Sequence, residues 1–310
     1  MAVYVRVSGG LGNQLFQLAA GAVAASDLRT DLVMDPSGIY EANRRGTATR
    51  REFALPEMFP TVNVLATERT RLNPMIQIAL LHGRSPFATL ASDLAYLLDS
   101  RLGGRQSLFR DQDITKVLAL ASRSKARADV HLNGYWADFR IAEKSRNWIL
   151  SKMFTERALS SKLQRIEAEM KETRSTSVHV RRGDFLSKWG SIHDVTSGAY
   201  FAASMDSLAP ATDKFYVFSD DIEWCRTNLR RGNKDIEFIT RERGESDMEH
   251  LLVMSKAKDF IISNSSFSWW AAWLGSAKNK RVLRPFAWTT NNSGELVYPA
   301  DWERVLPDDK

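Results

Sequence analysis

SVHVRRGDF, residues Ser177 to Phe185, is the stretch from which the fold and the function of this chain are best approached. Its first residues predict a short buried strand that runs directly into Arg181 and Arg182, with His179 and Arg181 on the same face because side chains alternate along a strand. Ligands of open α/β sheets bind at this end of a strand. Two adjacent guanidinium groups suit a phosphate or diphosphate, since each offers a rigid fork of donors that stays charged. The alternative is a salt bridge to Asp184 that only ends the strand.

The second half of the sequence alternates regularly between strand and helix patterns. Strands are predicted at 177–181, 214–219, 235–239, 259–263 and 281–284. Helices are predicted near 198–208, 222–230, 245–256 and 266–276. Such alternation is typical of right-handed βαβ units and of a parallel sheet with helices on both faces. The C-terminal half is therefore predicted to be a doubly wound Rossmann-like domain.

The N-terminal segment predicts a strand, a glycine turn and a helix. An alternating apolar and polar stretch is followed by the turn SGGLG and by an apolar helical run. Gly10 and Gly12 allow N–H groups at the start of a helix to approach an anion closely, and Asn13 could cap the helix or reach into a cleft. Leu15 stands where a dinucleotide fingerprint requires its third glycine, which disfavours a nicotinamide oxidoreductase without excluding it.

The length of 310 residues suits two domains rather than one ordinary core. We expect an N-terminal α/β domain over 1–174 and a Rossmann-like domain over 175–285. Residues 286–310 are expected to form an aromatic-rich tail that packs back on the domains. The irregular segment 36–128 carries no readable motif.

A net charge of +6 and a single cysteine, Cys225, limit the classes of function. One cysteine excludes an internal disulfide framework, so a reducing compartment is the simplest expectation. The start MAVYVRVSGG lacks the order of a secretory signal, and no apolar run reaches the length of about 18 residues that a membrane span needs, so we predict a cytoplasmic protein. Basic residues are spread along the chain, which disfavours nucleic-acid binding. Basic patches leave peripheral attachment to the inner face of the membrane open.

Two further strand ends carry polar residues that suit a nucleotide. The strand Lys214 to Phe218 runs towards Asp220 and Asp221, where a carboxylate could accept the N1 and N2 hydrogens of guanine. One of the two aspartates is alternatively expected to cap the following helix. Ser265 and Ser266 precede the next helix, where hydroxyl and N–H groups form a favourable seat for a phosphate.

Four motifs follow one another along the chain: GGLGNQLFQ, HVRRGDF, YVFSDD and SNSSFSWW. In order and separation they resemble the bacterial α-1,2-fucosyltransferases of glycosyltransferase family 11, and the resemblance extends from Val5 to about Trp302. It implies a GT-B-like α/β architecture, in which two Rossmann-type domains face a cleft. It also implies GDP-fucose as the donor, inversion at the fucose carbon, and no requirement for a metal or other cofactor. The acceptor implied is the 2-hydroxyl of a terminal β-galactoside on an oligosaccharide or a glycolipid-linked glycan, recognised mainly by the first domain.

The resemblance also suggests roles for individual residues in donor binding. Arg181 resembles the arginine that holds the β-phosphate, and His179 resembles the histidine near the guanosine. Either Asp220 or Asp221 resembles the carboxylate that reads guanine. Together with Arg181, Arg182 could stabilise the charge that develops on the departing diphosphate, as a metal would elsewhere.

Two further motifs contribute residues to the site that the resemblance implies. Ser266, with Ser265 as the neighbouring choice, resembles a serine on the diphosphate. Asn13 resembles the asparagine of the glycine-rich turn that faces donor or acceptor, and the turn itself holds Gly10 and Gly12.

The general base is left open by the sequence. Inversion in one displacement asks for a base within about 3 Å of the acceptor proton. Asp184 is the candidate by position, although it could instead orient the adjacent arginines, and His193 and Asp194 are alternatives. Asp111 and Asp113 match the letters of a metal-binding DxD, but we assign them to a solvated loop or helix cap because no clear strand end precedes them.

Overall fold

The computed structural model describes residues 2–46, 49–66, 106–110, 129–156, 159–183, 196–229 and 234–306. The chain forms two compact units, Met1–Phe154 and Thr155–Lys310. No helix in these ranges combines the length and the apolar composition needed to cross a bilayer.

The first unit is an α/β unit with a parallel sheet. Its elements are, in chain order, β1 (Ala2–Arg6), α1 (Leu11–Leu28), β2 (Asp31–Asp35), α2 (Ser37–Arg45), α3 (Leu55–Met58), β3 (Asn63–Val64), β4 (Gln106–Arg110), β5 (Asp129–Asn133) and α4 (Phe139–Lys152). The strands pair in the order β3-β2-β1-β5-β4, and every pairing is parallel. The carboxyl ends of the strands therefore share one edge of the sheet.

Helix α1 lies very close to the sheet of the first unit. A Cβ at Gly21 would come within 2.5 Å of Val5 Cγ2 and 2.6 Å of Leu32 Cδ1, so only glycine permits this approach. The helix ends at Arg29, which has a left-handed conformation with φ 50° and donates its N–H to Ser26. The close contact packs the middle of α1 directly against β1 and β2.

The second unit is a doubly wound α/β domain, as predicted. Its elements are α5 (Ser161–Glu172), β6 (Ser175–Val180), α6 (Gly198–Leu208), β7 (Lys214–Ser219), α7 (Ile222–Asn228), β8 (Asp235–Ile239), α8 (Asp247–Met254), β9 (Asp259–Ile261), α9 (Ser266–Leu274), β10 (Val282–Pro285) and β11 (Glu303–Val305). The strand order is β11-β10-β9-β6-β7-β8, again with parallel pairings throughout. The chain proceeds outward from β6 to β8 and then returns to β9 on the other side of β6. This reversal places a topological switch point between β6 and β9, which is where open α/β sheets bind ligands.

The core of the second unit covers both faces of this sheet. On one face, Val178 and Val180 pack in a buried cluster with residues of the flanking helices, among them Phe201 and Met205. Burial of such side chains stabilises the fold by roughly 1.5–3 kcal/mol each. On the other side, Trp269 of α9 is fully buried and donates its indole N–H to the carbonyl of Val297 at 2.8 Å.

The division between the units falls earlier in the chain than the sequence-based boundary after residue 174. Helix α5, which that boundary gave to the first domain, buries its apolar stripe and packs against α8 of the second unit. Its Glu169 also accepts a hydrogen bond from Lys214 Nζ at 2.7 Å. When an amphipathic helix lies in the sequence between the strands of two sheets, its own pattern does not indicate which sheet it covers.

The tail after residue 285 contributes more than packing. Leu283, Arg284 and Pro285 of β10 pair in parallel with residues 303–305. Arg281 and Glu303 form an ion pair at 2.7 Å beside this edge. The tail therefore supplies the edge strand β11 of the second sheet.

Candidate active site

His179 and Ser263 meet at the switch point between β6 and β9. The imidazole Nδ1 lies 3.1 Å from Ser263 Oγ, and the ring packs at 5.5 Å from the ring of Phe267. Burial, with a smaller effect from the positive charge of Arg181, lowers the pKa of His179 to about 3. His179 is therefore neutral at physiological pH, and its ring can donate one hydrogen bond and accept another without adding charge to the site.

The buried imidazole makes the stability of the protein sensitive to acid. In the folded chain His179 takes up a proton only when its pKa of about 3 is reached, whereas an unfolded histidine does so near pH 6.5. The unfolded state binds more protons between these values, so the free energy of unfolding falls as the pH drops through that window. From this residue alone we expect a loss of about 2 kcal/mol between pH 7 and pH 5.

Urea unfolding of the wild type and of His179→Gln at pH 7 and pH 5 checks this expectation. Glutamine can still bond to Ser263 but does not titrate, so the acid-induced loss should shrink. His131 of the first unit, whose pKa burial lowers to about 4, provides the acid sensitivity that remains in the variant. An equal loss in both proteins would contradict the assignment to His179.

Asp220 organises the loop that follows β6. Its Oδ1 accepts the N–H of Arg182 at 2.9 Å, and its Oδ2 accepts the N–H of Gly183 at 3.1 Å. The same Oδ2 lies 3.1 Å from Nη1 of Arg181. A Cβ at Gly183 would lie 2.8 Å from this oxygen, so the close approach requires glycine. The carboxylate thus fixes both the backbone of the loop and the guanidinium of Arg181.

Arg182 points to a different partner. Its Nε lies 3.1 Å from Oδ2 of Asp221, and its Cζ lies 3.9 Å from the ring centroid of Trp224. Asp221 also caps α7, because its Oδ1 accepts the N–H of Trp224 at 3.2 Å. The prediction that one of the two aspartates caps this helix is confirmed, and it is Asp221. Recognition of guanine by either carboxylate stays a prediction.

The predicted phosphate seat lies on the other side of the switch point. Ser265 is the N-cap of α9 with no hydrogen bond from its side chain to the helix, and Ser266 is the first helical residue. The preceding Asn264 is buried and donates from its Nδ2 to the carbonyl of Trp288 at 3.0 Å. N–H groups of the first helical turn, together with the serine hydroxyls, are suited to an anion at this position.

The glycine turn of the first unit has the conformation that its sequence suggests. Gly9 has φ 77°, a left-handed value that favours glycine, and Gly10 is the N-cap of α1. Gly12 is buried in the first turn of the helix. Asn13 lies in that same turn and does not cap it, and its Nδ2 would come within 2.6 Å of a Cβ at Gly9. The amide therefore lies against the turn, and its role towards a ligand stays a prediction.

Two glutamines that the sequence analysis did not single out hold this turn in place. Gln14 is fully buried and donates to the carbonyls of Gly9 at 3.0 Å and Glu52 at 2.7 Å, while its Oε1 accepts the N–H of Ala54 at 3.1 Å. Gln17 accepts from the N–H of Ser8 at 3.0 Å. The sequence signal that could have identified them is a pair of polar residues, three positions apart, on the otherwise apolar face of a helix.

Replacing Gln14 with methionine is expected to lower the free energy of unfolding by about 3 kcal/mol. The volume is nearly conserved, but three backbone groups lose their partner, and each costs about 1 kcal/mol or more when it is left buried. Thermal and urea unfolding measure the loss. Gln164→Met on the exposed side of α5 is the matched control and should change stability by less than about 0.5 kcal/mol. Equal stability of both variants would show that the Gln14 bonds contribute little.

Several candidates from the sequence lie outside the described residues. These are Asp184, His193 and Asp194 as general bases, and Asp111 and Asp113 of the DxD. The expectation that no strand end precedes the DxD is wrong, because β4 ends at Arg110, immediately before Asp111. Within the described ranges, no group of three or more histidine, cysteine, aspartate or glutamate side chains is arranged to hold a metal ion. The identity of the base and the independence from metal stay predictions.

Comparison with known proteins extends over nearly the whole chain. The model of glycosyl transferase family 11 matches residues 2–303. An α-1,2-colitosyltransferase of Escherichia coli is 27% identical over 98% of each chain. The O-antigen biosynthesis glycosyltransferase WbnK of Escherichia coli is 25% identical over 97% of this chain and 99% of its own length. Galactoside α-(1,2)-fucosyltransferase 1 of Leontocebus fuscicollis is 31% identical, over 31% of this chain and 28% of its own.

The solved structures support the fold. The fucosyltransferase NodZ from Bradyrhizobium aligns with 88% of this chain and 93% of its own, with a TM-score of 0.51 and 17% sequence identity. At this identity the similarity establishes the fold alone, and it confirms the predicted GT-B-like α/β class.

Proposed function

Because the chain belongs to glycosyl transferase family 11, and is therefore a glycosyltransferase, we propose that it transfers L-fucose from GDP-fucose to the 2-hydroxyl of a terminal β-galactoside. The acceptor is an oligosaccharide or a lipid-linked glycan. Transfer inverts the configuration at the fucose carbon and needs neither a metal nor another cofactor.

The observation that carries the proposal is the guanidinium of Arg181, which Asp220 fixes at 3.1 Å beside the switch point. In the transferase reaction the glycosidic bond to GDP breaks, and negative charge develops on the β-phosphate. A preorganised cation at that position stabilises this charge in the transition state more than in the ground state. Arg181 supplies the cation, and the helix start at Ser265 and Ser266 supplies N–H donors on the other side of the switch point.

The neighbouring residues support this assignment. Because His179 is neutral, it does not repel the guanidinium of Arg181. Its imidazole is available for a hydrogen bond to the nucleoside. Asp220, already engaged with Arg181 and two backbone N–H groups, has a further lone pair for guanine. Asn13 and the turn at Gly10 and Gly12 belong to the first unit, where we place the acceptor.

A second donor is suggested by the relatives, one of which is named an α-1,2-colitosyltransferase. Colitose is fucose without the 3-hydroxyl, so the two donors differ by one hydroxyl group. A site that hydrogen-bonds this hydroxyl discriminates strongly against the deoxy sugar, whereas an apolar contact at that position discriminates weakly. Relative rates with GDP-fucose and GDP-colitose therefore decide which sugar this enzyme transfers.

An acceptor screen tests the proposed function directly. The full chain is incubated with GDP-fucose and a panel of β-galactosides, in parallel with a divalent cation and with a chelator, and products are analysed by mass and by linkage. Product with an α-1,2 bond supports the proposal, whereas GDP-fucose left intact across all galactosides would refute it.

A thermal shift with GDP that ADP does not reproduce would support guanine recognition. Loss of activity in chelator, restored by a divalent cation, would refute metal independence.

A further inference from the structure

Arg284 is a guanidinium at the carboxyl end of β10 that has no acidic partner in the part of the chain that the structure describes. Its Nη1 donates to the carbonyl of Pro285 at 3.1 Å, and its Cζ lies 4.7 Å from the ring centroid of Tyr298. Its Nε is buried and makes no hydrogen bond to any described residue. Burial, together with the nearby cation of Arg304, lowers the pKa of Arg284.

Two other arginines close to the ends of strands in this sheet have carboxylate partners. Arg181 is paired with Asp220, and Arg281, three residues before Arg284, is paired with Glu303 through both Nε and Nη2 at 2.7 Å. Within the described residues no acidic side chain forms an ion pair with Arg284. Partial burial of a cation without an anionic partner costs the folded state desolvation free energy, which an anion bound from outside the chain would offset.

The register of the sheet places Arg284 beside the switch point. Val178 and Leu283 both pair with Ile261, so the three strands share one level. His179 and Arg284 are each one residue further along, which puts them on the same face at a Cα separation of roughly 10 Å, two strand spacings. The loop with Ser265 and Ser266 emerges from β9 between them.

We propose that Arg284 is a second anion-binding arginine, which contacts a phosphate oxygen of the donor diphosphate from the β10 side while Arg181 contacts it from the β6 side. The identity of the diphosphate as part of a GDP-sugar rests on the proposed function. The anion site itself rests on the unpaired guanidinium and on its position beside the phosphate seat.

Binding of inorganic pyrophosphate and of GDP to the full chain, measured by calorimetry, tests the proposal. Arg284→Met keeps the length and the apolar contact with Tyr298 and removes the charge. We expect both ligands to bind at least tenfold more weakly, because a charge-assisted hydrogen bond to phosphate is lost. Arg284→Lys keeps the charge without the planar fork and should recover part of the affinity. Arg281→Met, at the residue immediately before the same strand, is the matched control and should bind within twofold of the wild type.

Stability separates this assignment from a packing role. If Arg284 serves an absent anion, methionine removes an uncompensated charge and the melting temperature of the free protein should stay equal or rise. Unchanged pyrophosphate affinity in Arg284→Met overturns the proposal. A fall in both affinity and melting temperature that Arg284→Lys does not partly reverse overturns it as well. A wild type that binds pyrophosphate through Arg284 but transfers no sugar refutes the proposed function and leaves the anion site standing.

Discussion

Replacement of Arg181 with alanine is expected to lower kcat for the proposed fucosyl transfer by about 10² to 10³ while the protein stays folded. Under the proposed function, this guanidinium, which Asp220 holds at 3.1 Å, stabilises the charge that develops on the departing diphosphate. Its removal leaves Asp220 with both backbone N–H groups, so the loop after β6 keeps its support. The effect should therefore appear in the chemical step rather than in stability.

Single-turnover rates with GDP-fucose, together with thermal unfolding, measure the two effects separately. Arg181→Lys retains a charge but loses the rigid fork of donors, so it should recover only part of the rate. Arg165→Ala is the matched control, since Arg165 of α5 is an exposed arginine that forms an ion pair with Glu237 of β8. Near-normal transfer by Arg181→Ala would remove Arg181 from the site and with it the central argument for a metal-free mechanism.

The second unit could be predicted from the sequence because strand and helix patterns alternate regularly along it. The predicted strands at 214–219 and 235–239 coincide with β7 and β8. The order in which they join the sheet follows from the general behaviour of βαβ units. Edge strand β11 escaped detection, since three exposed or half-buried residues carry no alternation that local pattern can register.

The sequence could not show that Asp220 holds the loop after β6 while Asp221 caps α7. Adjacent identical side chains give no local signal, and the choice depends on which carboxylate faces the loop after β6, a long-range contact. The same limit explains Gln14, whose partners at Glu52 and Ala54 lie far along the chain. Sequence patterns report the element a residue occupies, whereas its hydrogen-bond partners depend on how elements come together.

Substitution of Asp220 with asparagine is expected to weaken GDP binding and to lower kcat/KM by roughly 10²-fold, equivalent to about 2.7 kcal/mol. An amide has one oxygen where the carboxylate has two, so it cannot accept from both backbone N–H groups and also hold Arg181. The geometry thus predicts that the arginine and the loop lose their fixed positions together. Gly183→Ala, whose Cβ would lie 2.8 Å from Asp220, should reproduce much of this loss without changing any charge.

Comparison of bases decides which function of Asp220 dominates. If its carboxylate mainly organises the loop, then Asp220→Asn should weaken GDP, IDP and pyrophosphate by similar factors, because all three need the positioned Arg181. If it reads guanine, GDP should lose most, and IDP, which lacks the N2 hydrogens, should lose less. Asp221→Asn is the comparison variant, since Asp221 caps α7 and pairs with Arg182. The two hydrogen bonds and the ion pair that Asp220 already makes within the protein favour the first outcome. Wild-type-like binding of all three ligands by Asp220→Asn would exclude both.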